Sequence, residues 1–326
     1  MGRNPFKEHW TSYLGMCVGT YADKTIEVTR RRFRGLERIV RTKYEEGELS
    51  TQNPKHFTAE DSLIIYTELG EENPETKKAR QPVTVSKYMN DLRNLCLSLD
   101  NCCVDVMHKR YPYTRKKIKH TRLECMDVET MEKIAQKTAN IDDDDFTMLR
   151  SYAVAGTYLG AGTRTLELQH IKVCNVHLDH DIPHIFLEVV KGGDTYGEDR
   201  YAPMIPMFYP VLKRYMVARQ KYLDDHGLES DLLFFRLSDG VMLTDKSVRK
   251  VRSIANTGMG MDFSGMDCRR SYGQYWKDLS VPIEDISRYM GHASTKTTER
   301  YCARIRPMYA LKELKAFLPK CTRAFL

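Results

Sequence analysis

The 326-residue sequence predicts a mainly α-helical chain of two domains, the second carrying a small antiparallel β-sheet. Three observations lead there. Apolar residues recur at three- and four-residue steps through most of the chain, the period of one helix face. Between Ile171 and Met207 that period switches to two. A proline-containing, strongly basic stretch, YPYTRKKIKHTRLE, separates residues 1–110 from residues 125–305 and has little apolar periodicity of its own. The length allows each domain its own core.

Taken in order, Thr25 is placed to cap a helix in which Phe33, Leu36, Val40 and Tyr44 share a face and arginines occupy the other. EEGELSTQNPKHF reads as a loop, after which Thr58 or Asp61 opens a helix carrying Leu63, Ile64, Ile65 and Leu69. GEENPETKKARQP is polar and expected on the surface. Val85, Tyr88, Met89, Leu92, Leu95, Cys96 and Leu99 then form the stripe of another helix, which completes an all-helical first domain at 1–110. Residues 111–124 read as a linker suited to lie along a phosphate backbone.

The second domain opens with MDVETMEKIAQKT, a helix with an acidic first turn. Asp142 to Asp145 precede a long apolar helix, and Asp145 is a good cap; the run is read as structural rather than as a metal site. IKVCNVHLD, HIFLEVVK and DRYAPMIPM read as three short strands, with Gly192 and Gly193 in the second turn. An amphipathic helix from FYPVLKRYMVARQKYLDDH ends at Gly227, and TDKSVRKVRSIANTG forms a shorter one. In the tail, 306–326, Leu311, Leu314, Phe317 and Leu318 lie on one helix stripe.

Composition narrows the function classes. A formal charge of +7 and a pI near 8.8 favour polyanionic partners. The positive residues concentrate in Arg30, Arg31, Arg32, Arg34, Arg38, Arg41 and Lys43, then in Lys109, Arg110, Arg115, Lys116, Lys117, Lys119 and Arg122. Lys87 and Arg93 stand on the helix between them. Nine scattered cysteines without a CxxC pair suit reduced thiols and argue against a zinc site. With no long apolar run and no signal core, no membrane association is expected and the chain reads as cytoplasmic. No cofactor is expected. No aromatic RNA-recognition motif is present.

The chemistry-bearing residues lie in the second domain. Arg164 follows Gly160 and Gly162 in YLGAGTRTLELQHI, with Glu167 and Leu168 close behind; Lys191 opens the glycine turn; Arg269, the Gly291-His292 pair and Tyr301 follow on segments read as helical. In this order and context they resemble the tyrosine recombinase (phage-type integrase) family. The likeness covers nearly all of the second domain and is nearest the Xer-like site-specific recombinases. It implies a helical core-binding domain followed by an α+β catalytic domain, closing as a C-shaped clamp around DNA.

The implied reaction is DNA cleavage and rejoining through a 3′-phosphotyrosyl intermediate. Tyr301 would be the nucleophile, Arg164 and Arg269 would hold the scissile phosphate, Lys191 would protonate the leaving 5′-oxygen, and His292 would orient or activate. These residue types fit the task. Freeing a phenolate at pH 7 costs about 4 kcal/mol, and arginines offer forked donors that stay charged. The scheme requires neither ATP nor metal. Arg270 as the second arginine is rejected, since that register sets Asp267 against the phosphate.

One departure stands out. The family's usual histidine, three positions before the second arginine, is here Met266, and losing such a donor typically costs about 2.7–4 kcal/mol. The resemblance further implies double-stranded DNA with inverted half-sites, a homotetramer on synaptic DNA, a monomer when free, association with the nucleoid, and a tail that docks on a neighbouring subunit. Two rivals remain: type IB topoisomerase-like relaxation, and a DNA-binding protein that keeps the fold without cleavage.

Overall fold

The computed structural model describes residues 4–73, 78–115, 125–142, 145–190 and 198–301. The chain divides into two units, Met1–Thr121 and Arg122–Leu326, each with its own apolar core.

In the first unit, α1 (Pro5–Met16) was not legible as an element. Asn4 caps it through the Lys7 amide, and Phe6, Trp10 and Leu14 bury one narrow face. The Trp10 ring stacks on Phe33 and its indole N–H donates to Glu37 at 3.1 Å. Helix α2 (Asp23–Glu45) has its N-cap at Ala22, three residues before its interior residue Thr25, which therefore is not the cap. Its core stripe is Ile26, Phe33, Leu36, Ile39 and Val40. Tyr44 is exposed because the helix outruns the core at its C-terminal turn. Arg32 turns inward to pair with Asp91 rather than joining the solvent face.

Helix α3 (Ala59–Gly70) uses both expected openers together. Thr58 caps the Asp61 amide, while the buried Asp61 carboxylate accepts from Thr58 and from the Ser50 amide and hydroxyl at 2.8–2.9 Å. A short antiparallel pair, β1 (Glu72–Asn73) and β2 (Lys78–Ala79), lies within the polar stretch. The expected stripe buries Val85, Met89, Leu92, Leu95 and Cys96 on α4 (Pro82–Leu97). An unforeseen α5 (Cys103–Arg110) packs on α3 and α4. A 3-10 turn, Pro112–Thr114, follows with Thr114 buried, so the start of the expected linker is ordered against the first unit.

The second unit is organised around α7 (Phe146–Ala161), buried at every position from Leu149 to Ala161. After α6 (Val128–Ala139), Asp145 caps α7 by accepting from the Met148 amide at 2.9 Å. Helices α9 (Tyr209–His226), α10 (Asp245–Met259) and α11 (Gly265–Asp278) pack along α7. Short α8 (Thr165–His170) leads to the sheet β3–β4–β5, and α12 (Ile283–Met290) and α13 (Thr295–Tyr301) close the described chain.

The three strands are shorter than their period-two segments: Val176–His177, His184–Leu187 and Arg200–Pro203. A 3-10 turn at Val173–Asn175 takes the front of the first segment. All pairings are antiparallel, with Ile185 opposite Ala202 and Leu187 opposite Arg200. Gly227 ends α9 in the left-handed region as its sequence position suggests. Among the described residues no helix is long and apolar enough to cross a membrane, and no His, Cys, Asp and Glu group is placed to hold a metal. The tail at 306–326 lies outside the described residues.

The turn out of α7 is the tightest point of this unit. Gly162 sits at φ +58°, and a Cβ there would lie 2.3 Å from the Tyr272 ring. A side chain combines left-handed strain with overpacking. Gly162→Ala is therefore expected to destabilise the chain by at least about 2 kcal/mol, read as a lower midpoint in urea unfolding; an unchanged midpoint would contradict this packing.

Candidate active site

The site is built from four segments, the start of α8, helix α11, the turn after α12 and strand β5, that bring charged side chains to one place. Beyond Gly162, Arg164 is extended and stands as the N-cap of α8, not at the end of the apolar helix. Glu167, one turn on, reaches back. Its Oε2 accepts the Arg164 backbone N–H at 2.7 Å and its Oε1 accepts from Arg164 Nη1 at 2.6 Å, the acidic half of a capping box.

Helix α11 brings the second arginine. Ser264 and Asp267 form its capping box, which fixes the start of the helix. Arg269 is 1% exposed; Nη1 donates to the Gly162 carbonyl at 2.6 Å, Nη2 donates to the Met290 carbonyl, and Nη1 stands 3.6 Å from Glu167 Oε2. Arg270 pairs instead with Asp267. The two adjacent arginines are thus sorted by helix phase, Arg269 toward Glu167 and Arg270 toward Asp267.

Helix α12 ends at Gly291, φ +60°. His292 lies just past that cap, so the expected helical setting is corrected to a turn: its amide donates to the Ser287 carbonyl and its Nδ1 is 2.8 Å from Thr298 Oγ1 on α13. Arg164 Nη2 donates to the Gly291 carbonyl at 2.9 Å, tying the Gly-His turn to the first arginine. From β5, Arg200 donates to Glu167 Oε2 at 2.8 Å and to the Tyr289 carbonyl. A cleft of about 830 Å³ opens here, lined among others by Arg164, Arg200, Arg288, Gly291, His292 and Thr297.

Three guanidinium groups around one carboxylate leave that cluster net positive, while Glu198 and Asp199 also line the cleft. Burial alone would raise the Glu167 carboxyl, but Arg200, Arg269 and Arg164 outweigh it and hold the group down at about 2. Burial and the same three arginines push the His292 imidazole down to about 3. At neutral pH Glu167 is an anion and His292 is uncharged. A neutral imidazole has one N–H and one lone pair; with Nδ1 engaged by Thr298, Nε2 is the ring nitrogen left for a substrate. An anion such as a phosphodiester finds here the guanidinium groups of Arg164, Arg200 and Arg288 on the wall of the cleft.

Of the five expected residues, Arg164, Arg269 and His292 converge. Lys191 lies outside the described residues, and Tyr301 is the last residue of α13, nine positions after His292, with its side chain outside them. Met266, 54% exposed, stands one turn before Arg269. Arg200 and Thr298 were missed. The signal for Arg200 was present: in DRYAPMIPM it shares the period-two phase of Ala202 and Met204, the buried face.

The expected DNA contacts divide. Arg30, Arg31 and Arg34 are exposed on α2 and Lys87 on α4, although Arg31 pairs with Glu27. Arg93 is bonded to Asp105 at 2.7 Å, and with the exposed Arg115 it lines a cleft of about 740 Å³ in the first unit. Lys43, from the same basic run, is enclosed by Glu46, Glu48 and Glu68. Lys116, Lys117 and Lys119 lie outside the described residues.

Residues 124–305 match the model of the phage integrase family. Tyrosine recombinase XerC of Neisseria meningitidis serogroup B is 26% identical over 163 residues, 49% of this chain and 50% of the relative. Tyrosine recombinase XerA of Pyrococcus horikoshii is 26% identical over 155 residues, 47% of this chain and 50% of the relative. The chain thus matches about half the length of these curated relatives. Among solved structures, XerH bound to palindromic difH, a post-cleavage complex, aligns with TM-score 0.65 at 16% identity, covering 90% of this chain and 80% of that one. The Tn1549 transposon integrase in complex with circular intermediate DNA aligns with TM-score 0.62 at 13% identity, covering 96% and 99%. The lambda integrase tetramer bound to a Holliday junction gives 0.61 at 13%, covering 92% and 79%. At these identities the likeness is one of fold.

Removing the charge of Glu167 leaves three cations around a neutral amide. Glu167→Gln is expected to cost about 3–5 kcal/mol of stability, as when one partner of a buried ion pair is lost. The pH dependence has a definite sign. Glu167, lowered in the fold from 4.5, stabilises above pH 4.5 and loses that contribution as pH falls toward 2. His292, lowered from 6.5, makes the fold lose stability as pH falls below 6.5. Urea unfolding between pH 7 and 3 should show both declines in the parent chain, and Glu167→Gln should lack the lower one.

Proposed function

This chain belongs to the phage integrase family, the tyrosine recombinases, and we propose that it cuts and rejoins double-stranded DNA at specific sites through a 3′-phosphotyrosyl intermediate. The observation that carries the reading is the convergence of Arg164 and His292 on the wall of one cleft, with Arg269 buried behind them and Tyr301 ending the next helix.

In the proposed step the Tyr301 oxygen attacks the scissile phosphorus while the bond to the 5′-oxygen breaks. His292 orients or activates the phenol as it gives up its proton, and Lys191 supplies a proton to the leaving oxygen. Arg164, with a quarter of its side chain exposed, meets the non-bridging oxygens first. Arg269 lies behind it, held by the Gly162 and Met290 carbonyls, and adds its positive charge beneath the phosphate. The phosphotyrosyl link conserves the bond energy for a second 5′-hydroxyl, so neither ATP nor metal enters the scheme.

Residues 1–110 would serve as the core-binding domain, 111–124 as the linker, and 125–305 as the catalytic domain, with 306–326 docking on a neighbour. The palindromic substrate of XerH supports inverted half-sites, and the lambda integrase tetramer supports a homotetramer on synaptic DNA. We assign a monomer to the free protein and a cytoplasmic, nucleoid-associated setting.

Met266 favours one second reading, a DNA-binding protein that keeps the fold without cleaving. Covalent trapping on nicked duplexes from the protein's own genomic neighbourhood separates the two. The expected result is a denaturation-resistant protein–DNA band that Tyr301→Phe abolishes. Binding without a band, unchanged by Met266→His, would support the non-catalytic reading; relaxation of supercoiled DNA lacking a paired site would support the topoisomerase-like one.

A further inference from the structure

Arg200 has no role in the chemistry above, yet both of its terminal nitrogens are anchored at the site, while its buried Nε has no hydrogen-bond partner. Its side chain is 5% exposed, and what is exposed lines the cleft. It enters from the inward face of β5, opposite Leu187, and divides its donors between two parts of the site. Nη2 takes Glu167 Oε2 at 2.8 Å, and Nη1 takes the Tyr289 carbonyl in the last turn of α12. Its Cδ and Nε fill the place where a Cβ on Gly291 would stand, at 2.8 and 2.9 Å, so the glycine of the Gly-His pair and the arginine pack as one unit.

The sharing of Glu167 is uneven. Oε1 is held by Arg164, Oε2 by Arg200 and by the Arg164 amide, while Arg269 remains 3.6 Å from Oε2. A carboxylate oxygen in a buried positive site draws the nearest guanidinium to full hydrogen-bonding distance unless another donor occupies it. We infer that Arg200 is a positioning residue of the phosphate site: it occupies Glu167 Oε2 and the Tyr289 carbonyl, which keeps Arg269 off the carboxylate and fixes the Gly291–His292 turn against Arg164. This rests on the proposed recombinase reading. Loss of Arg200 lets Arg269 move onto Glu167 and away from the substrate, and it removes one of the cations that keep His292 neutral.

The groups facing His292 define the pH signature. They are Arg164 and Glu167 of α8 and its cap, Arg269 of α11 and Arg200 of β5; Arg288 of α12 and, ahead of β5, Glu198 and Asp199 line the same cleft, and α13 presents the neutral Thr298. Removing Arg200 moves His292 protonation to higher pH, and the acid limb of the cleavage profile moves with it.

The test compares Arg200→Gln and Arg200→Lys with the parent chain in the covalent-trapping assay. Each is first checked for folding by thermal unfolding. Arg200→Gln is expected to bind duplex DNA as the parent does, to cleave about 10²-fold more slowly, and to show an acid limb at higher pH. Arg200→Lys retains the charge but reaches one anchor, so its acid limb stays in place while its rate falls. A folded Arg200→Gln with the parent rate and profile overturns the inference, as does Arg200→Lys at the parent rate. NMR titration of His292 without DNA supplies an arm independent of cleavage. If the parent forms no adduct, the recombinase reading fails, and an upward shift of His292 in Arg200→Gln still supports the positioning role, whereas no shift overturns it.

Discussion

A single buried carboxylate organises the second unit. Glu167 accepts from the side chains of Arg164 and Arg200, lies close to Arg269, and bonds the backbone that enters its own helix. Through those partners it joins α8, α11 and β5, and through Arg164 and Arg200 it reaches both ends of the turn that carries His292. The carboxylate makes a dense cluster of cations tolerable, and the cluster in turn holds the histidine uncharged. Charge, geometry and protonation state therefore depend on one group.

Two backbone turns make that arrangement possible. Gly162 and Gly291 adopt left-handed φ where two helices end, and each brings a carbonyl to an arginine: Gly162 to Arg269 and Gly291 to Arg164. The buried helix α7 supplies the fixed surface, since its small residues allow α9, α10 and α11 to approach closely. Close packing resists small shifts, which is what a site with several simultaneous 2.6–2.9 Å contacts requires.

Basic charge in the first unit is only partly available to a ligand. Arg32, Lys43, Arg93 and Arg110 are engaged with Asp91, with Glu46, Glu48 and Glu68, with Asp105, and with Glu60. What remains exposed on α2 and α4 is a narrower set than the run of arginines in the sequence. Long side chains pair with whichever carboxylate the helix packing brings near, and a linear reading does not contain that neighbour.

The sequence by itself determined the helix stripes, the caps at Thr58 and Asp145, the stop at Gly227, the place of the small sheet, and the order of Arg164, Arg269 and His292. Each of these follows from local physics: periodicity, an orphan amide needing an acceptor, or a left-handed residue. It left α1 and α5 unread because their apolar faces are short. The tertiary structure alone decided that Arg200 belongs with the other arginines, that Glu167 lies at their centre, and that His292 is neutral. Those facts depend on residues far apart in the chain meeting in a region from which water is excluded, where charges act strongly on one another and no local pattern records which will meet.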